Sequence, residues 1–330
     1  MTYPIQEDGI AGSTPAGKSK ALGSSSRLLT KEIAHISVCV CTFKRPHLLQ
    51  RLLTELASQE TKGGFTYSVV VVDNDTSRSA ESVTSEFVQS SSTPVRYVAE
   101  PRQNIALARN RAVENAVGDF IAFIDDDEFP SKTWLLTLLE ACNNYKVDGV
   151  LGPVKRHFDE EPPQWLVKSN FYQRPTYPTG FVIDWRKGRT GNVLLRKEVL
   201  AEAGSEPFNP EFRTGEDQEF FSRMIQKGYV FIWCDEAVAY EVVPPLRWKK
   251  TFMLRRALLR GAMEPKTPNF GVRDVVRSLV AVCVYSIALP FAFVLGQHRF
   301  MTLLVSTCDH LGKLLAVVGI NPVKEQYVTE

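Results

Sequence analysis

The 330-residue sequence has almost no net charge: 39 lysines and arginines face 37 aspartates and glutamates, a formal +2. So small an excess gives no grounds for a nucleic-acid partner, and any basic surface has to be local. Cysteine is sparse as well, six in all and none in a CxxC pair. Cys39 and Cys41 alternate along an apolar run, Cys142 falls in a leucine-rich pattern and Cys283 in an apolar stretch. Buried, reduced thiols in a reducing compartment are predicted rather than a disulfide framework. Several signatures are missing. The first apolar run is followed by Thr42-Phe43-Lys44-Arg45-Pro46 instead of GxGxxG, and no P-loop, HExxH or GxSxG occurs. Those absences remove the commonest nicotinamide, P-loop, zincin and hydrolase readings. The N-terminal residues lack an apolar h-region and any hydrophobic periodicity, and their Gly, Ser, Ala and Pro predict a disordered leader over 1–32.

From Ile36 the pattern changes. Ile36–Thr42 reads as a buried strand, and Leu48, Leu49, Leu52, Leu53 and Leu56 mark one face of a following helix. Tyr67–Val72 and Pro94–Ala99 read as strands, Ile105–Ala116 as a helix, and Asp119–Ile124 as a fourth strand. A helix led by Pro130-Ser131 carries Trp134, Leu135, Leu138 and Leu139, and a strand is expected near Gly149–Val154. Residues 155–190, rich in aromatics, proline and charge, suit a substrate-facing excursion. Gly191–Leu195 returns to strand and Glu216–Lys227 to helix. Strands alternating with helices imply right-handed βαβ units and a mostly parallel sheet, which binds ligands beyond the carboxyl ends of its strands. Those ends carry Thr42, Asp73 and the triplet Asp125-Asp126-Asp127.

Three carboxylates at a strand end repel one another unless a cation relieves them. A hard divalent ion, Mg²⁺ or Mn²⁺, held by one or two carboxylates and diphosphate oxygens is the expected remedy. Glu216 and Asp217 open a helix, where acids favour the dipole whatever else they do. Beside a metal triplet, they read as a catalytic base presented at a helix N-terminus. A helix beginning near Asn104 offers N–H groups to an anion, with Arg109 or Arg111 adding charge, although solvated arginines on an exposed helix fit the same residues. Asp73 is placed to accept from a base or ribose, and Lys44 and Arg45 to face phosphate.

Past Pro244-Pro245, seven cations stand between Arg247 and Lys266 against the single acid Glu264. Ser278–Gln297 is then uncharged for 20 residues, a helical length of about 30 Å that matches a bilayer's hydrocarbon core. Pro290 would kink it, and Asp309, His310 and Lys313 interrupt a second apolar segment, Phe300–Ile320. A kinked or re-entrant hairpin on the membrane follows, with the basic segment on the cytoplasmic side.

Together these residues resemble glycosyltransferase family 2. Val38–Pro46 looks like the family's first strand and loop, Val71-Val72-Asp73-Asn74 its second, Ala108-Arg109-Asn110 its helix motif, Asp125-Asp126-Asp127 its DxD motif and Glu216-Asp217 its ED motif. Val150–Val154, Thr190–Arg196 and Thr214–Asp217 are similar to the succinoglycan-type β-glucosyltransferases of bacterial exopolysaccharide assembly. The resemblance implies a GT-A fold over 33–245: a Rossmann-like, mixed and mostly parallel α/β sheet sandwiched by helices. Residues 246–330 would form a basic and apolar helical membrane-association region at the cytoplasmic face of the bacterial inner membrane.

It further implies an inverting transfer of a hexose from a nucleotide-diphosphate sugar, a uridine-diphosphate sugar by resemblance, to a lipid-linked saccharide. Asp217 would be the catalytic base. Thr42, Arg45, Asp73, Asn104, Arg109, Asp125 and Asp126 would bind the nucleotide sugar, and Asp127 with Asp125 the metal. The basic cluster, apart from the resemblance, offers Arg256 or Arg260 to assist the leaving diphosphate. Three departures stand out: Asn104 replaces a glycine, Tyr240 before Glu241 replaces a histidine, and the QxxRW of processive synthases is absent. A sugar nucleotidyltransferase, or a non-catalytic sugar-binding protein, remains the alternative on the residues alone.

Overall fold

The structure is a computed structural model that describes residues 33–212, 215–266, 270–320 and 323. The leader at 1–32 and Thr214 lie outside the described residues. The chain opens with β1 (Ala34–Thr42), α1 (Pro46–Ala57), β2 (Phe65–Asp73), α2 (Glu81–Ser90), β3 (Val95–Ala99), α3 (Ile105–Asn115) and β4 (Phe120–Ile124). β1, β2, β3 and β4 are mutually parallel, in the spatial order β3-β2-β1-β4. Alternation along them feeds two cores. Val38, Val40, Val69 and Val71 meet the leucines of α1 on one face, whereas Cys39, Val70 and Val72 meet Ala106, Ala108 and Ala112 of α3 on the other. A strand buried on both faces needs such a near-continuous apolar run. Leu49, Leu52, Leu53 and Leu56 of α1 are fully buried, each worth about 1.5–3 kcal/mol over exposure.

The segment expected as one strand near Gly149–Val154 is two. After β5 (Glu128–Pro130) and α4 (Trp134–Tyr145), β6 (Gly149–Leu151) enters the large sheet and β7 (Val154–His157) a second, smaller one. Gly152-Pro153 separates them, and proline cannot donate to a ladder. The excursion that follows holds α5 (Gln164–Ser169) and a single 3₁₀ turn at Trp185–Lys187. β8 (Asn192–Arg196) then runs antiparallel between β4 and β6. α6 (Lys197–Glu202), α7 (Glu216–Gln226) and β9 (Phe231–Trp233) complete the seven-stranded sheet, β3-β2-β1-β4-β8-β6-β9. Phe220, Phe221 and Met224 of α7 seal the same face as α3. β10 (Ala239–Val242) lies between β5 and β7 in the small sheet.

The C-terminal region is helical: α8 (Pro245–Trp248), α9 (Lys250–Met263), α10 (Val272–Val294) and α11 (Gln297–Val317). Met301 and Val305 of α11 join Met253 and Ala257 of α9 and Leu166 of α5 in a third core. α9 and α11 approach so closely that a Cβ on Gly261 would run into the Asp309 carbonyl, and one on Gly312 into that of Leu258. Asp309 and Lys313 do not simply interrupt an apolar helix. Asp309 accepts from Arg260 at 2.7 Å, and Lys313 reaches Glu264 at 2.6 Å, so both face α9. α10 is different: Val280, Val284, Ile287, Phe291 and Val294 are each more than half exposed, and Pro290 lies inside the helix. All six cysteines are free, but Cys283, expected to be buried, is exposed on α10.

Candidate functional site

Because β1, β2 and β4 are parallel, Thr42, Asp73 and the Asp125 triplet share one rim. Thr42 Oγ1 donates to Asp126 Oδ2 at 2.7 Å. Lys44 takes a left-handed backbone turn (φ 57°), and Arg45 Nη1 lies 3.3 Å from both Asp126 Oδ1 and Asp127 Oδ2. Burial pushes the Asp126 carboxyl up to about 7 even against Arg45.

Glu128 is more extreme. Its carboxylate is buried and, among the described residues, has no hydrogen-bond partner on either oxygen, and burial and the neighbouring Asp125 raise its pKa well above the ordinary range. Arg174 Nη1 is 3.9 Å away. Gly191 lets the chain pass beside this group: a Cβ there would sit 2.9 Å from Glu128 Oε1 and 3.0 Å from Asp125 Oδ2.

Arg109 projects from α3 into the same centre. It is buried, forms an ion pair with Glu216, and places Nη2 3.6 Å from Asp125 Oδ1. The acid triplet and the Glu216-Asp217 pair are thus joined through one guanidinium. Asp217, in the first turn of α7, is half-buried and, among the described residues, accepts only from the Gln218 backbone at 2.8 Å. Its neighbour Glu216 spends its charge on Arg109, so Asp217 is the more available of the two.

Other expected residues have internal partners. Asp73 is fully buried and accepts from the backbones of Asp75 (3.1 Å) and Ala80 (2.7 Å) and from the Tyr97 hydroxyl (3.1 Å), which fastens the loop after β2. The free N–H groups expected at the start of α3 are already capped: Asn104 Oδ1 accepts from Ala106 at 2.8 Å and Leu107 at 3.3 Å. Tyr240, at the position of the family's histidine, stacks on Phe129.

Three charged groups paired at this centre were not read as site residues in the sequence: Arg174, Glu241 and Arg247. Arg247 bridges Asp127 (3.3 Å) and Glu241 (3.0 Å), and Arg174 pairs with Glu241 in turn. The basic cluster was the only signal, and it pointed to Arg256 or Arg260. Arg247 is the member that reaches the acids, whereas Arg260 is held by Asp309 on α11.

Among the described residues, no three His, Cys, Asp or Glu side chains are placed to hold an ion by themselves. A hard divalent ion shared between one or two carboxylates and a substrate diphosphate needs no such cage. Asp125 and Asp127, backed by the orphaned Glu128 carboxylate, fit that requirement.

The family model Glycosyl transferase family 2 matches residues 37–202. The chain is 30% identical to the succinoglycan biosynthesis protein ExoM of Rhizobium meliloti over 91% of its own length and 97% of that protein. It is 26% identical to a chondroitin synthase of Pasteurella multocida, of which it spans 25%. The fold is that of the mannosyltransferase PcManGT from Pyrobaculum calidifontis, solved with GDP-Man and Mn²⁺ (TM-score 0.54, 15% identity, 86% of this chain and 88% of that one). S. aureus TarS residues 1–349 with UDP-GlcNAc superposes similarly (TM-score 0.51, 15% identity, 87% and 92%). The chain is a glycosyltransferase with a GT-A fold and belongs to glycosyl transferase family 2.

Proposed function

We propose that the chain transfers a hexose, with inversion, from a uridine-diphosphate sugar to a lipid-linked saccharide in bacterial exopolysaccharide or surface polysaccharide assembly. The observation that carries this reading is the single centre formed by Asp125–Asp127, Arg109, Glu216 and Asp217. The similarity to a succinoglycan biosynthesis protein over nearly the whole chain supports the polysaccharide setting. In the reaction, the acceptor oxygen attacks the anomeric carbon as the bond from that carbon to the diphosphate oxygen breaks with its electron pair. Asp217 takes the acceptor hydroxyl's proton. Asp125 and Asp127 would hold Mg²⁺ or Mn²⁺, which when bound offsets the charge developing on the leaving diphosphate. Thr42 and Arg45 keep Asp126 and Asp127 oriented toward the rim. Arg247 and Arg174 hold positive charge among the acids.

The membrane-facing part of the proposal rests on the C-terminal helices. α10 and α11 are both long and apolar enough to cross a bilayer by length and composition. α11 is fastened to α9, which leaves α10 as the apolar face, while Lys249, Lys250, Arg255 and Arg256 at and before α9 are exposed. That pairing suits the cytoplasmic leaflet, where anionic headgroups attract each Lys or Arg by about 1 kcal/mol. A thermal-shift screen of UDP-glucose, UDP-galactose and GDP-mannose, with and without Mn²⁺, tests the donor. A Mn²⁺-dependent rise with one UDP-sugar is expected. No shift with any nucleotide sugar, or a shift confined to GDP-mannose, would overturn the donor assignment.

A further inference from the structure

The acid triplet divides the rim of the large sheet. Thr42, Asp73 and Arg109 lie on its β1–β2 side, and on its other side, between the ends of β6, β8 and β9, is a cavity of about 110 Å³. Pockets that engulf a small ligand measure about 300–1,000 Å³, so this one suits an end-group of a longer molecule. Among the described residues, its lining contains Arg174, Arg186, Lys187 and Arg189 and no acid. Arg174 is committed to Glu241 and Glu128, and Arg186 stacks on Trp185 with Asp184 3.6 Å away. The Lys187 ammonium lies 5.7 Å from the ring centroids of Tyr177 and Phe181, and among the described residues neither it nor Arg189 makes an ion pair. Tyr177 and Trp233, packed edge to face with centroids 5.3 Å apart, supply an apolar wall.

The cavity is also on the base's side of the reaction. Gln218, next to Asp217, donates to the Arg186 carbonyl at 3.2 Å, so the turn bearing Lys187 is tied to the helix that presents the base. A base has to touch the acceptor hydroxyl, and the turn beside it therefore faces acceptor rather than nucleotide. Two cations without acidic partners around an aromatic wall match an acceptor that carries negative charge close to its reacting sugar. From this juxtaposition, which rests on the glycosyl-transfer reading above, we infer that the cavity is an acceptor subsite for an acidic group, a carboxylate or phosphate, read by Lys187 and Arg189.

The test uses full-length protein in detergent and three probes: a glucuronate-terminated disaccharide, the same disaccharide with glucose in its place, and the neutral disaccharide on farnesyl diphosphate. Affinities are measured by calorimetry. At least one acidic probe should bind about tenfold or more tightly than the neutral disaccharide, the ratio expected of one charge-assisted hydrogen bond. The carboxylate and diphosphate arms identify the source of the anion. Lys187→Gln with Arg189→Gln should abolish that preference while leaving UDP affinity in Mn²⁺ unchanged. Equal affinity for all three probes, or a preference that survives the double substitution, would overturn the inference. Failure of UDP to bind wild type would count against the donor reading instead, and the saccharide comparison would still decide the cavity.

Discussion

Arg109 and Glu216, 107 residues apart in the chain, form a buried ion pair at the centre of the site. The same guanidinium also faces Asp125, so it links the acid triplet to the helix that carries Asp217. Removing it strands two carboxylates at once. Arg109→Ala should cost about 3–5 kcal/mol, the usual penalty for a buried pair broken on one side. Arg109→Lys should recover part of that, since a point charge replaces a fork. Urea denaturation midpoints check both, and a wild-type midpoint for Arg109→Ala would show that the pair carries no stability.

Asp127→Ala and Asp217→Asn should fail differently. The first is expected to lose Mn²⁺-dependent donor affinity, because the carboxylate that would anchor the ion is gone. The second should keep donor affinity and lose about 10²–10⁴-fold in turnover, as removal of a general base does. Calorimetric donor titration and a nucleoside-diphosphate release assay separate the two. Near-wild-type turnover by Asp217→Asn would reassign the base.

Ile287→Asp and Phe291→Asp alter exposed positions of α10 and should leave the melting temperature of the detergent-solubilised protein nearly unchanged. Both should release the protein from vesicles containing anionic lipid. Wild type should stay bound in high salt, because the apolar contribution is not screened. Release of wild type by salt alone would mean that only the basic side chains hold it.

His35 predicts an acid-side loss of stability. Its ring nitrogens lie 2.8 Å from Thr66 Oγ1 and 2.9 Å from Ser68 Oγ, and burial lowers its pKa against the opposing pull of Asp119. A histidine held neutral by the fold stabilises above its unfolded pKa of about 6.5, and this contribution is lost as pH falls through the lower folded value. Denaturation midpoints of wild type should therefore drop more steeply between about pH 7 and 5 than those of His35→Gln. Parallel slopes would remove His35 from the account.

Much of the catalytic sheet was legible in the sequence because its strands are long and continuously apolar and its helices carry leucine or phenylalanine at helical spacing. α2 was not: Glu81–Ser90 is rich in serine and buries only Val83 and Thr84. β5, β9 and β10 are three or four residues long, too short for periodicity to register, and their pairing is set by contacts distant in sequence. The acids of the site were visible as motifs, and so were Arg45 and Arg109, which pair with them, but Arg174 and Arg247 were not. Arg174 and Arg247 acquire their meaning only when the small sheet brings Glu241 between them. Asn104 shows the opposite failure, where a helix start read as an anion site is closed by its own cap.

β8 alone runs against its neighbours in the large sheet, and its first residue, Asn192, stands opposite Ile124, the last of β4. That reversal returns the segment between β7 and β8 to the sheet at the reacting rim. Its exposed parts can therefore drift during divergence while the parallel strands and their acids stay in place, provided that its buried Leu166 and Ile183 and the aromatics packed with them remain. For engineering, residues 158–191 are therefore not a free cassette: any exchange between relatives has to keep Arg174, which pairs with Glu241, and Gly191, which passes beside Asp125 and Glu128.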